Sequence, residues 1–177
     1  MNTQQTIWML TLGVTLVASW VDYRTRKIPN WLTVSGLIFG IAVNSLLAGW
    51  HGAKASFEGA GLALILLLPL VLLRAFGAGD WKLMGAVGAL LGPVLFLFVL
   101  AGSIFVSGLM AIVEMYRSGR MMATLRNMGV LVRGFFSFGL RAHPKISLDN
   151  PGLMKLPFGV AVAVATLVCF LAARMGV

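Results

Sequence analysis

The chain is poor in charge and poorest in acid. Of its 177 residues only 11% are charged, and aspartate and glutamate together supply five. It has one cysteine, Cys169, which excludes an internal disulfide and a four-cysteine zinc site. That thiol lies inside the last apolar run and reads as a small buried hydrophobe. His51 and His143 have no partners at metal-ligand spacing and read as solvated loop residues. There is no glycine-rich phosphate loop, and no internal repeat clear enough to mark a duplicated transporter. Neither a cofactor nor a metal is expected. The apolar runs are continuous rather than alternating, which argues against a β-barrel.

What the chain has in quantity is hydrocarbon. Hydrophobic residues make up 59% of it, and the mean hydropathy is +0.95. A soluble domain of this length could not hide so much apolar surface, and several runs approach the ~20 residues that span a bilayer. Six apolar segments stand out, at about 6–22, 31–50, 57–74, 81–92, 94–116 and 156–173. The expectation is an all-α, polytopic membrane bundle of six transmembrane helices, forming one domain over residues 1–177. Gly92-Pro93 interrupts the run from Trp81 to Met115 and is read as a turn between two spans. Were it only a kink, the count would fall to five.

The net charge of +9 comes from basic residues clustered between the apolar runs, a pattern of membrane orientation and anionic-lipid contact rather than of nucleic-acid binding. In a six-span arrangement Arg24, Arg26, Lys27, Arg74, Lys82, Arg117, Arg120, Arg126, Arg133, Arg141, Lys145 and Lys155 share one side. Only Lys54 and Arg174 fall on the other. Excess Lys and Arg marks the cytoplasmic side, so both termini are expected outside. The leader before segment one has no positive charge, so that segment reads as a permanent helix rather than a cleaved signal peptide. Within the polar stretch 117–155, Met122, Leu125, Met128, Val132 and Phe135 recur at helical spacing while Arg126 and Arg133 share another face. This suits an amphipathic helix in the membrane interface, or alternatively a soluble helix packed on the bundle.

Against that background two acidic residues stand out. Asp22 ends segment one, and Asp80 stands at the start of segment four in Gly77-Ala78-Gly79-Asp80. A carboxylate at the edge of hydrocarbon is costly and is a functional candidate when retained. The basic residues alone place both at the same, cytoplasmic boundary. Two close carboxylates resist ionising together and titrate as a unit. One can then accept a proton from water while the other, protonated, donates to a developing oxyanion. Gly77 and Gly79 permit close backbone approach, and Asp80 would lie near a helix N-terminus, where the dipole favours negative charge. Pro29-Asn30 reads as a tight loop with Asn30 as N-cap of the next helix. The structural alternatives are an Asp22–Arg26 pair at i,i+4 and an Asp80 that merely caps its helix beside Lys82. Glu114–Arg117 and Lys54–Glu58 read as surface pairs. Lys82 and Lys155 either orient a substrate carboxylate or snorkel to the interface.

These pieces together resemble a type IV prepilin peptidase, a GxGD-type intramembrane aspartyl protease. The resemblance rests on Asp22 with its downstream basic run and Ile28-Pro29-Asn30, on Gly77-Ala78-Gly79-Asp80 with Lys82-Leu83, and on Leu156-Pro157-Phe158-Gly159 opening the last helix. It implies that Asp22 and Asp80 are the catalytic pair, with Gly77, Gly79, Lys82, Pro29, Asn30, Pro157 and Gly159 in support. It implies a prepilin substrate, cleaved after a glycine at the cytoplasmic face of a bacterial inner membrane. The large peptidases of this kind carry a cytoplasmic domain with paired cysteines and N-methylate the product. The first polar loop here is too short for that domain, so no methyltransferase activity is expected. The compact form is similar to the peptidases of tight-adherence (Flp) pilus systems. A different class remains open: a small proton-coupled transporter, or a non-enzymatic pilus-assembly protein, with the aspartates as relay or structural groups.

Overall fold

The computed structural model describes residues 3–74, 76–119 and 156–175, and these form four helices. They are α1 (Thr3–Thr25), α2 (Asn30–Leu72), α3 (Ala78–Ser118) and α4 (Phe158–Met175). All four are long and apolar enough to cross a membrane, and no strand occurs among the described residues. The protein is an all-helical membrane protein. The expected interfacial helix of 117–155 falls, from residue 120 on, outside the described residues, as do His143 and Lys155.

The expectation of six separate helices is corrected to four among the described residues. The reason lies at two positions where the chain turns without leaving helical hydrogen bonding for long. In α2 only Ala48 and Gly49 leave helical geometry, Gly49 with a left-handed φ of 58°. In α3 only Gly92 does, with φ 74° and ψ 176°, a region essentially closed to side-chain-bearing residues. Pro93 then begins the next turn, where its missing N–H costs nothing.

Both helices fold back at these breaks. The Asn44 amide lies 2.9 Å from the Ser56 hydroxyl oxygen, twelve residues along; a straight helix would separate them by about 18 Å. Ser107 and Met110 likewise share a cavity with Asp80, which a straight α3 would place about 40 Å away. Four of the six apolar segments are therefore legs of folded helices.

The first leg of α3 is the centre of the bundle. Every residue from Leu83 to Gly92 is buried, so this leg is apolar on all sides. Its shortness as an apolar run, 81–92, reflects enclosure by protein. Glycines let the α2 legs approach it to backbone contact. A Cβ on Gly40 would lie 3.0 Å from the Leu90 nitrogen, and one on Gly59 would collide with the Gly88 carbonyl oxygen. Close approach through small residues is how membrane helices gain packing energy where lipid offers no hydrophobic drive. Around this leg Phe96, Val99, Val162 and Phe170 complete the core.

The outer surface is apolar in turn, with Phe57, Ile65, Phe98 and Phe105 exposed. Trp20, Tyr23, Trp31 and Tyr116 are exposed near one end of the legs, and Trp50 at the α2 break, as expected for aromatic belts at two interfaces. The Arg24 guanidinium sits 4.4 Å above the Trp20 ring.

At the α2 break the Asn44 amide reaches the carbonyl oxygens of Ala89 and Leu90 as well as Ser56. This buried polar group ties both α2 legs to the central leg. Replacing Asn44 with leucine is expected to destabilise the bundle by about 1–2 kcal/mol. The check is a lower Tm or earlier SDS unfolding in detergent micelles, and an unchanged transition would show the tie to be dispensable.

Candidate functional site

The site is assembled where three helix ends meet. α1 closes at Thr25, whose hydroxyl oxygen lies 2.8 Å from the carbonyls of Val21 and Lys27. Arg26 follows with a left-handed φ of 54°. Its N–H still donates to the Asp22 carbonyl at 2.8 Å. Asp22 therefore sits in the last turn of α1 with its side chain turned inward and only 5% exposed.

Its partner there is distant in sequence. The Gly159 N–H donates to Asp22 Oδ2 at 2.8 Å across 137 residues. Gly159 is the second residue of α4, so this N–H is one that the helix cannot satisfy internally. The positive end of the α4 dipole faces the carboxylate. The fit favours glycine: a Cβ would lie 3.1 Å from both Cβ and Oδ2 of Asp22, closer than ordinary contact. Arg26 also lies within electrostatic reach of Asp22, so the i,i+4 relation read from the sequence is present beside the Gly159 bond.

Asp80 occupies the equivalent place on α3. Gly77 is the N-cap, in extended geometry, and its carbonyl accepts the Trp81 N–H at 2.9 Å. The Asp80 side chain lies back over this cap, where a Cβ on Gly77 would come within 2.6 Å of Oδ2. Gly79 has a separate reason. A Cβ there would be 3.1 Å from the Ile28 carbonyl oxygen, so its absence lets the start of α3 press against the loop that follows Asp22. Each aspartate thus meets a helix N-terminus.

Both carboxylates line one cavity of about 500 Å³. Ile28, Phe76, Met110, Leu156 and Phe158 give it apolar walls, with Arg26 and Lys27 at its edge. Phe76 and Phe158 meet edge to face, centroids 5.0 Å apart, and so lock the α3 and α4 entrances together. Among the described residues no group of three His, Cys, Asp or Glu side chains is placed to hold a metal ion.

The type IV leader peptidase family matches this chain over residues 9–112. The chain belongs to the type IV leader peptidase family. No curated protein and no solved structure matches it significantly. The family match contains both aspartates and ends before α4.

Some supporting residues of this leader peptidase differ from expectation. Asn30 does not cap α2; the N-cap is Pro29, without a side-chain hydrogen bond. The Asn30 side chain instead accepts a bond from Lys82 Nζ at 3.0 Å, joining the starts of α2 and α3. Lys82 is thereby tied to the start of α2. Pro157 lines the cavity, and its carbonyl accepts the Val160 N–H at 3.1 Å. Lys54 and Glu58 form the exposed pair expected of them, at 3.7 Å. Ser107 and Met110, on the second leg of α3, line the cavity and had no signal in the sequence.

With both positions in one cavity, Asp22→Cys and Asp80→Cys in a Cys169→Ser background should be joined by a short bifunctional thiol reagent without any substrate. The check is protection of both thiols from a mass tag. Thiols that stay independently reactive would show that the two positions do not share a cavity at rest.

Proposed function

We propose that the protein is a membrane aspartyl endopeptidase that removes the leader from type IV prepilins, using Asp22 and Asp80 as its catalytic pair. The observation that carries this reading is the placement of two carboxylates from different helices in one cavity of a leader peptidase family member. One carboxylate takes a proton from water as the oxygen attacks the scissile carbonyl. The other, protonated, donates to the carbonyl oxygen. When the tetrahedral intermediate collapses, the C–N bond breaks and a proton passes to the leaving amine.

The surroundings divide the work. The Gly159 N–H restrains the Asp22 carboxylate, and the extended Gly77 cap leaves room for that of Asp80. Arg26, Lys27 and Arg117 lie at the same end of the bundle, which favours a cytoplasmic site by the excess of positive charge. In a bacterial inner membrane that arrangement receives a basic leader from the cytoplasm and the pilin's apolar segment from the bilayer. The compact chain suits Flp-type prepilins, and proteolysis without N-methylation.

Asp22→Asn and Asp80→Asn are each expected to reduce cleavage of a co-expressed prepilin by about a hundred-fold or more, at normal protein level. The readout is the leader-dependent size shift on immunoblots. Processing retained by either variant would overturn the two-aspartate mechanism. Gly159→Ala is expected to lose about ten-fold, because a displacement below 1 Å at the reacting groups is already expensive. EDTA should leave the activity unchanged.

A further inference from the structure

Four acidic residues are described, and three of them have evident engagements. Asp22 and Asp80 form the pair, and Glu58 meets Lys54. The fourth, Glu114, is half-buried on the second leg of α3 and forms no ion pair among the described residues. Arg117 stands one turn further along but outside ion-pair distance, contrary to the surface pair expected from the sequence.

Glu114 opens onto a second cavity, of about 710 Å³. This cavity adjoins the first, since Arg26, Met110, Leu156 and Pro157 line both. The two together extend from the aspartates along the second leg of α3 to Glu114. Val106, Leu109 and Val113 supply an apolar wall, and Tyr23 and Arg117 its polar margin.

The electrostatics of this groove are uneven. Arg26 and Arg117 repel a cation that enters it, and Lys27 does so at the aspartate end. Beyond the aspartates, Glu114 is the only described carboxylate that can receive one. Its wall suits the methylenes of a long basic side chain, which cover apolar surface while the charge reaches an acceptor.

The register follows from helix geometry. Ser107 lines the aspartate cavity, and seven residues of helix to Glu114 rise about 10 Å. An extended peptide covers that in about three residues.

We propose that this second cavity is a substrate subsite in which Glu114 accepts a lysine or arginine side chain of the leader, about three residues before the cleaved bond. The proposal rests on the peptidase reading above. Glu114 is a specificity-determining residue that acts on binding, outside the reacting pair.

The test uses the full chain reconstituted in liposomes and synthetic leader–pilin peptides. They carry a single lysine two, three or four residues before the cleaved bond, with matched glutamine and glutamate versions. Wild-type protein should favour one lysine peptide over its glutamate counterpart by about ten-fold in kcat/KM, mostly through KM. Glu114→Gln should erase that preference with kcat nearly unchanged, Glu114→Asp should keep it, and Glu114→Lys should turn it toward glutamate. Wild-type protein without a lysine preference, or a preference that survives Glu114→Gln and Glu114→Lys, would overturn the subsite while leaving the peptidase intact. Wild-type protein that cleaves none of the peptides would overturn the peptidase reading, and the subsite with it.

Discussion

The hydrogen bond from the Gly159 N–H to Asp22 joins the last turn of α1 to the first turn of α4, and the geometry of the site depends on it. A carboxylate withdrawn from water needs a donor. A helix N-terminus offers unused donors and a favourable dipole together. The missing Cβ at residue 159 lets the two meet. Once Asp22 is held there, the loop after it carries Ile28 to Gly79, and Gly79 sets the start of α3 and with it Asp80. Positions far apart in the chain are thus fixed through close contacts that a larger side chain would push apart.

The fold beneath serves the same end. α2 and α3 each fold back once, at Gly49 and Gly92, and their legs meet through Gly40, Gly59 and Gly88 at backbone distance. The site lies at the open ends of these legs, and the Asn44 tie at the α2 break. Rigid packing at one end leaves the other free to present its helix termini, cavity and groove.

The aspartates were legible in the sequence because their cost was: a carboxylate beside an apolar run stands out in a chain with five acids. Their common level was legible from the basic residues. The glycines before Asp80 were legible as places of close approach, though which atoms approached was not. Gly159 could be singled out only by resemblance, since its role depends on a contact across 137 residues. Asn30 was misread because a capping propensity is local, whereas the amide of Lys82's partner was claimed by another helix. Glu114 was misread in the same way: spacing permits a pair with Arg117, but leg packing turns the carboxylate to a groove. Among the described residues six helices became four because one or two residues outside helical geometry reverse the chain without a loop, and apolar periodicity carries no trace of so brief an interruption.

The central leg of α3 runs only from Ala78 to the break at Gly92. Its fourteen residues before the break span about 21 Å, against a hydrocarbon core of about 30 Å. Sheathed by protein from Leu83 onward, it makes little direct demand on lipid, and the longer outer legs meet the acyl chains. The level of Asp80 is then set from within, by the distance from the Gly92 reversal, and not by the thickness of the surrounding bilayer. The protein carries its own ruler for where, between water and oil, the Asp80 carboxylate is held.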